Sequence, residues 1–128
     1  TARNLDREIE RMNKKIKAGA DFFQTQVVYD AEKTRQFTEK ASSLGKPVII
    51  GLMPLKSVKM ARFMDKNVDG IDVPPAIISR MEDQGATGIE ITCEFIQAVI
   101  DQIDGIHIMA MGDVAGTNKI IEFVRTLL

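Results

Sequence analysis

Apolar positions change their period twice within the first forty-five residues. Leu5, Ile9, Met12 and Ile16 recur at spacings of four, three and four, which predicts a helix whose other faces carry Asp6, Arg7, Glu10, Lys14 and Lys17. Gly19 ends it. The run from Phe22 to Tyr29 is rich in β-branched and aromatic residues and is bounded by Gly19 and Asp30, which predicts a strand. Asp30 is placed to cap the next helix, "AEKTRQFTEKASSLG", whose final Gly45 sits where a left-handed residue is wanted.

The same alternation continues. "KPVIIGLMP" is a nearly unbroken apolar run of the kind found in covered parallel strands, and Pro54 stops it. "KSVKMARFMDKN" predicts a basic amphipathic helix, and "VDGIDVPP" a short third strand ended by its prolines. Two helices follow, "AIISRMEDQG" and "GIEITCEFIQAVIDQ", split at the glycines of "QGATG". "GIHIMAMG" predicts the last strand and "NKIIEFVRTLL" the last helix.

Strands thus start near residues 22, 48, 71 and 106, giving four βα units after a leading helix in one domain spanning 1–128. Alternation on this scale means right-handed crossovers and a parallel α/β sheet. Two architectures cover strands this apolar. One is half of a (β/α)8 TIM barrel, whose complete form takes about 250 residues. The other is a doubly wound, flavodoxin-like sheet with helices on both faces. A half-barrel exposes two strand edges and an inner face, so it needs either the missing N-terminal half or a homo-oligomer.

Composition narrows the function classes. A formal charge of −1 provides no field that would recruit nucleic acid or an anionic membrane. The chain holds no apolar run near 18 residues and no apolar signal core, so it reads as soluble and cytoplasmic. The single cysteine, Cys93, fits a reducing compartment. A start at Thr-Ala-Arg, within a helical pattern, suggests that a segment is missing upstream.

Gln26 breaks the predicted first strand with an amide, whose donors and acceptor need partners once water is excluded. The surrounding "KKIKAGADFFQTQVVYDAEKTRQF", followed in order by "KPVIIGLMPLKSVKMARFM", "VDGIDVPPAIISRM" and "DGIHIMAMG", resembles the methylenetetrahydrofolate reductase family. "AGAD" with "TQVVYD" is the most specific element. The resemblance implies the second half of a flavin-dependent (β/α)8 barrel that reduces 5,10-methylenetetrahydrofolate to 5-methyltetrahydrofolate. Its hydride comes from NAD(P)H by way of FAD.

On that resemblance Gln26 hydrogen-bonds the folate pterin, and a planar amide suits an edge that alternates donors and acceptors. Tyr29 flanks the same pocket. Glu8, Arg11, Lys14 and Lys15 fall where the family places polar and basic residues around FAD, and Arg11 shares a helix face with both lysines. The bland alternative is a solvated charged face. Val58 stands where some members carry a larger aromatic over the flavin, and Asp113 where some carry an arginine for the folate glutamate.

Other residues are expected to be structural. Thr25 alternates away from Gln26, Asp30 is a cap, and Met53 and Cys93 are core. His107, the only histidine, is expected to be satisfied within its strand, and no metal site follows from it. No catalytic residue is assigned, because the family's acidic catalytic pair belongs to its first half. The reading is therefore part of a folate-reducing flavoenzyme; the alternative is a folded module without activity by itself.

Overall fold

The computed structural model describes residues 2–128. In chain order it contains α1 (Ala2–Lys17), β1 (Phe23–Val27), α2 (Ala31–Ala41), β2 (Val48–Leu52), α3 (Val58–Asn67), α4 (Pro75–Asp83), α5 (Gly88–Val99), β3 (Gly105–Ile108) and α6 (Val114–Leu127), with 3-10 turns at Ser42–Leu44 and Ile100–Gln102. The strands form one parallel sheet in the order β1-β2-β3.

The predicted element boundaries hold where local chemistry sets them. Gly19 follows α1 at a φ of 112°, and Gly45 closes the α2 segment at 71°. Both are left-handed conformations that glycine adopts without steric cost. Asp30 caps α2 by accepting from the Lys33 amide at 3.0 Å. Thr87 and Glu90 form a reciprocal capping box on α5, which fixes where the long crossover from β2 to β3 turns back.

One expectation is corrected. Residues 71–73 form no strand, so the described residues hold three strands and not the expected four, because β2 pairs directly with β3 and leaves no slot between them. The segment alternates as a strand does, and Ile71 and Val73 are buried while Asp72 is exposed. Its apolar side chains enter a cluster with Ala61 and Met64 of α3, and the Val73 amide donates to the Asp65 carboxylate at 2.9 Å. It is an extended strap, tied to α3.

The main core lies on one face of the sheet. Val48, Ile50 and Leu52 of β2 pack with Phe95, Ile96 and Val99 of α5, Ile120 of α6, Met12 of α1 and Ala41 of α2. Burying side chains of this size contributes about 1.5–3 kcal/mol each. The register sets Gln24 opposite Ile49 and Gly51 opposite His107, so alternation turns these residues away from the side chains of Ile50 and Leu52. Gln24, Gln26 and His107 are exposed. Helices cover one face and polar side chains occupy the other, an arrangement consistent with part of a (β/α)8 barrel and unlike a doubly wound sheet.

A second cluster caps the carboxyl ends of the strands. Tyr29, Met53 and Met109 follow β1, β2 and β3 respectively, and they meet α3 and α4 through Met60, Met64, Ile77 and Met81. The outer edges of β1 and β3 pair with no other strand among the described residues.

Candidate functional site

A cleft of about 550 Å³ runs along the open side of β1, between α1 and α2, and reaches the strap at Gly70 and Asp72. Its walls include Gln26 and Tyr29 at the carboxyl end of β1, and Glu8 and Lys15 on α1. Carboxyl ends of parallel strands are where barrel folds assemble ligand sites.

β1 presents Gln26 through an irregular register between Gln24 and Val27. At that irregularity the Gly51 amide donates to Thr25 Oγ1 at 3.0 Å, and the Thr25 hydroxyl donates to the Gln26 carbonyl at 2.7 Å. Thr25 thus substitutes for lost ladder bonds, the structural role expected of it. Gly51 permits this close passage, since a Cβ there would lie 2.8 Å from the Thr25 carbonyl oxygen and 3.1 Å from that of Gln26. Among the described residues the Gln26 side-chain amide makes no hydrogen bond, and it faces the cleft.

Tyr29 is placed differently. It is 8% exposed and its hydroxyl donates to the Met53 carbonyl at 2.7 Å. Desolvation by burial pushes its pKa far above the ordinary phenol value. Its donor is occupied, so what it offers the cleft is a ring wall and one acceptor lone pair.

The four charged positions of α1 do not converge. Glu8 and Lys15 line the cleft, whereas Arg11 and Lys14 are exposed outside its lining. Arg11 is 3.7 Å from Glu8 on the next turn of the helix. Arg11 and Glu8 form an exposed ion pair, and Lys15 is the one α1 cation that lines the cleft among the described residues.

Asp113 caps α6, accepting from the Gly116 amide at 2.9 Å. Val58 is the first residue of α3 and is half-buried, and Met53 is core. Cys93 is partly buried on α5, and burial pushes its thiol pKa up, which leaves it a poor nucleophile. Among the described residues no cluster of three His, Cys, Asp or Glu side chains could hold a metal, and no helix is long and apolar enough to cross a membrane.

Two contacts were not evident from the sequence. Gln24 Nε2 lies 2.6 Å from His107 Nδ1 across the width of the sheet, so the lone histidine is satisfied by a residue 83 positions away. Lys33 Nζ is 3.1 Å from Asp72, joining α2 to the strap.

Three parallel strands alternating with helices define an α/β fold consistent with part of a (β/α)8 barrel. The chain belongs to the methylenetetrahydrofolate reductase family, whose model matches residues 1–125. It is 29% identical over 112 residues to methylenetetrahydrofolate reductase 2 of Schizosaccharomyces pombe, a match that covers 77% of this chain. The match spans 17% of that relative's length.

Proposed function

We propose that this chain forms a folate-facing wall of a methylenetetrahydrofolate reductase, an oxidoreductase that converts 5,10-methylenetetrahydrofolate to 5-methyltetrahydrofolate. The observation that carries this reading is the Gln26 amide, exposed to the cleft and without an internal hydrogen bond among the described residues. One planar group that both donates and accepts matches the edge of a pterin. Tyr29 supports the floor of the same cleft with its ring.

FAD, with NAD(P)H as its reductant, supplies the hydride in this reading. The contribution of α1 to that cofactor is limited to Lys15 and Glu8, which suit a hydroxyl or a single anionic oxygen. The phosphates are held by residues beyond this chain, and so are the groups that move protons. Additional barrel strands complete the sheet at its two unpaired edges, and assembly takes place in the cytoplasm. By itself the chain is a folded unit that does not turn over, a reading favoured by the failure of Arg11 and Lys14 to reach the cleft.

The test is the folate half-reaction of the assembled enzyme, followed as reoxidation of prereduced flavin by 5,10-methylenetetrahydrofolate. Gln26→Ala is expected to raise the folate concentration needed for half-maximal rate while leaving flavin content unchanged. An unaltered concentration dependence removes Gln26 from the site.

A further inference from the structure

Gly70 begins the strap at the point where it passes the end of β1, and its φ is +82°, in the left-handed region that favours glycine. A turn could account for a glycine here. The surroundings add a second demand: a Cβ at position 70 would lie 2.7 Å from Gln26 Oε1, closer than side chains approach one another. The amide oxygen of Gln26 occupies the space that any other residue at 70 would fill. Gly19 and Gly45 are also left-handed, yet nothing lies within 4 Å of a Cβ at either.

The strap is held firmly enough for its shape to matter. Ile71 and Val73 are buried on both sides of Asp72, the Ile71 amide donates to the Val68 carbonyl at 3.3 Å, and the Val73 amide is bonded to Asp65. Asp72 itself reaches Lys33 on the first turn of α2, directly after β1 and Tyr29. The strap is thus fastened both to α3 and to the helix that β1 leads into. Gln26, by contrast, is exposed and has no hydrogen bond of its own among the described residues. Its amide oxygen lies directly against Gly70.

We propose that Gly70 is a positioning residue for the folate site: its missing side chain leaves the place where the Gln26 amide rests, and the Gly70–Val73 strap, tied by Asp72 to Lys33, sets the direction in which that amide meets the ligand. This inference rests on the reading of Gln26 as a folate ligand. Preorganising one rotamer of a long, flexible side chain raises affinity because the ligand no longer has to immobilise it. A side chain at 70 displaces the amide into solvent without disturbing the core, since both residues lie at the surface.

Gly70→Asn separates the two demands on this position. Asparagine tolerates a left-handed backbone, so the substitution introduces the Cβ with little strain. Gly45→Asn is the control, with φ +71° and open space around it. Binding of 5-methyltetrahydrofolate to the assembled enzyme is measured for each, in both the Gln26 and Gln26→Ala backgrounds. Gly70→Asn is expected to weaken binding about tenfold with Gln26 present and less than about twofold without it, the non-additivity of residues in contact. It is also expected to shift the Gln26 side-chain amide resonances in a nuclear magnetic resonance spectrum of the chain, whereas Gly45→Asn leaves them in place. Asp72→Asn, which loosens the strap without adding atoms, is expected to raise KM several-fold with kcat retained, again only when Gln26 is present, and it carries the test if Gly70→Asn fails to fold. Equal losses in both backgrounds, or no loss from either variant, overturn the role of Gly70 alone. An unchanged affinity in Gln26→Ala by itself overturns the folate reading and this inference with it.

Discussion

Gln24 on β1 and His107 on β3 bond to each other across the intervening β2, with Gln24 Nε2 and His107 Nδ1 2.6 Å apart. The central strand offers Gly51 directly opposite His107 in the register. A small residue there keeps the middle of this face low enough for the outer strands to reach across it.

Gly51 is therefore expected to resist substitution although alanine is a small, apolar residue. The added methyl meets two carbonyl oxygens of β1, at 2.8 and 3.1 Å. These are backbone atoms of β1, which leave little room to yield. Gly51→Ala is expected to cost about 1–3 kcal/mol, the range of an overpacked interior, read as a lower urea midpoint with an unchanged slope.

Gly88, the first residue of α5, is the stricter case. A Cβ there would lie 1.9 Å from the Leu55 carbonyl oxygen and 2.7 Å from its carbon. Helix α5 must shift away from the loop after β2 to accept it, which loosens Phe95 and Ile96 against the sheet. Gly88→Ala is expected to lower the urea midpoint more than Gly51→Ala does, and the opposite ranking contradicts the close approach of loop and helix.

Tyr29 provides an intrinsic reporter at alkaline pH, because the chain has one tyrosine and no tryptophan. Burial holds its pKa above the ordinary value of 10.0 in the folded state. A group whose folded pKa is raised contributes stability that is complete below the unfolded pKa and is lost as pH climbs past it. Phenolate absorbance at 295 nm is expected to stay absent above pH 10 while circular dichroism remains native, and to appear only as the chain unfolds. Ionisation ahead of unfolding contradicts the buried hydroxyl bonded to Met53.

The acid limb should report two ion pairs. A hydrogen bond from Arg80 holds Glu94 below its ordinary 4.5, and one from Arg35 holds Asp101 below its ordinary 3.8. Lowered carboxyl pKa values give stability that is present above these ordinary values and is lost as pH falls through the folded ones. All four side chains are substantially exposed, so the effect is small and screened by salt. Arg80→Gln and Arg35→Gln are expected to flatten the dependence of thermal stability on pH below 4.5, with little change at neutral pH.

Features fixed by short-range chemistry were legible in the sequence. The glycine stops at Gly19 and Gly45, the Asp30 cap and the helical stripe of Leu5, Ile9 and Met12 each depend on neighbours within a few residues. The strap at Ile71–Val73 was misread because its alternation is that of a strand, and only the direct pairing of β2 with β3 shows that the sheet has no place for it. The partnership of Gln24 with His107 and the approach of Gly70 to Gln26 join residues far apart in the chain. No local pattern encodes such contacts. Arg11, Lys14 and Lys15 share a helix face, yet a shared face does not say which of them overlooks the cleft, and the bend between α1 and β1 brings only Lys15 to it.

The central claim, that the open amide on β1 grips folate, is tested most directly by equilibrium titration of the assembled enzyme with 5-methyltetrahydrofolate. Gln26→Ala is expected to lose about 1–3 kcal/mol of binding, the cost of leaving ligand groups without their hydrogen-bond partner. Equal affinities for the parent and Gln26→Ala would contradict the account.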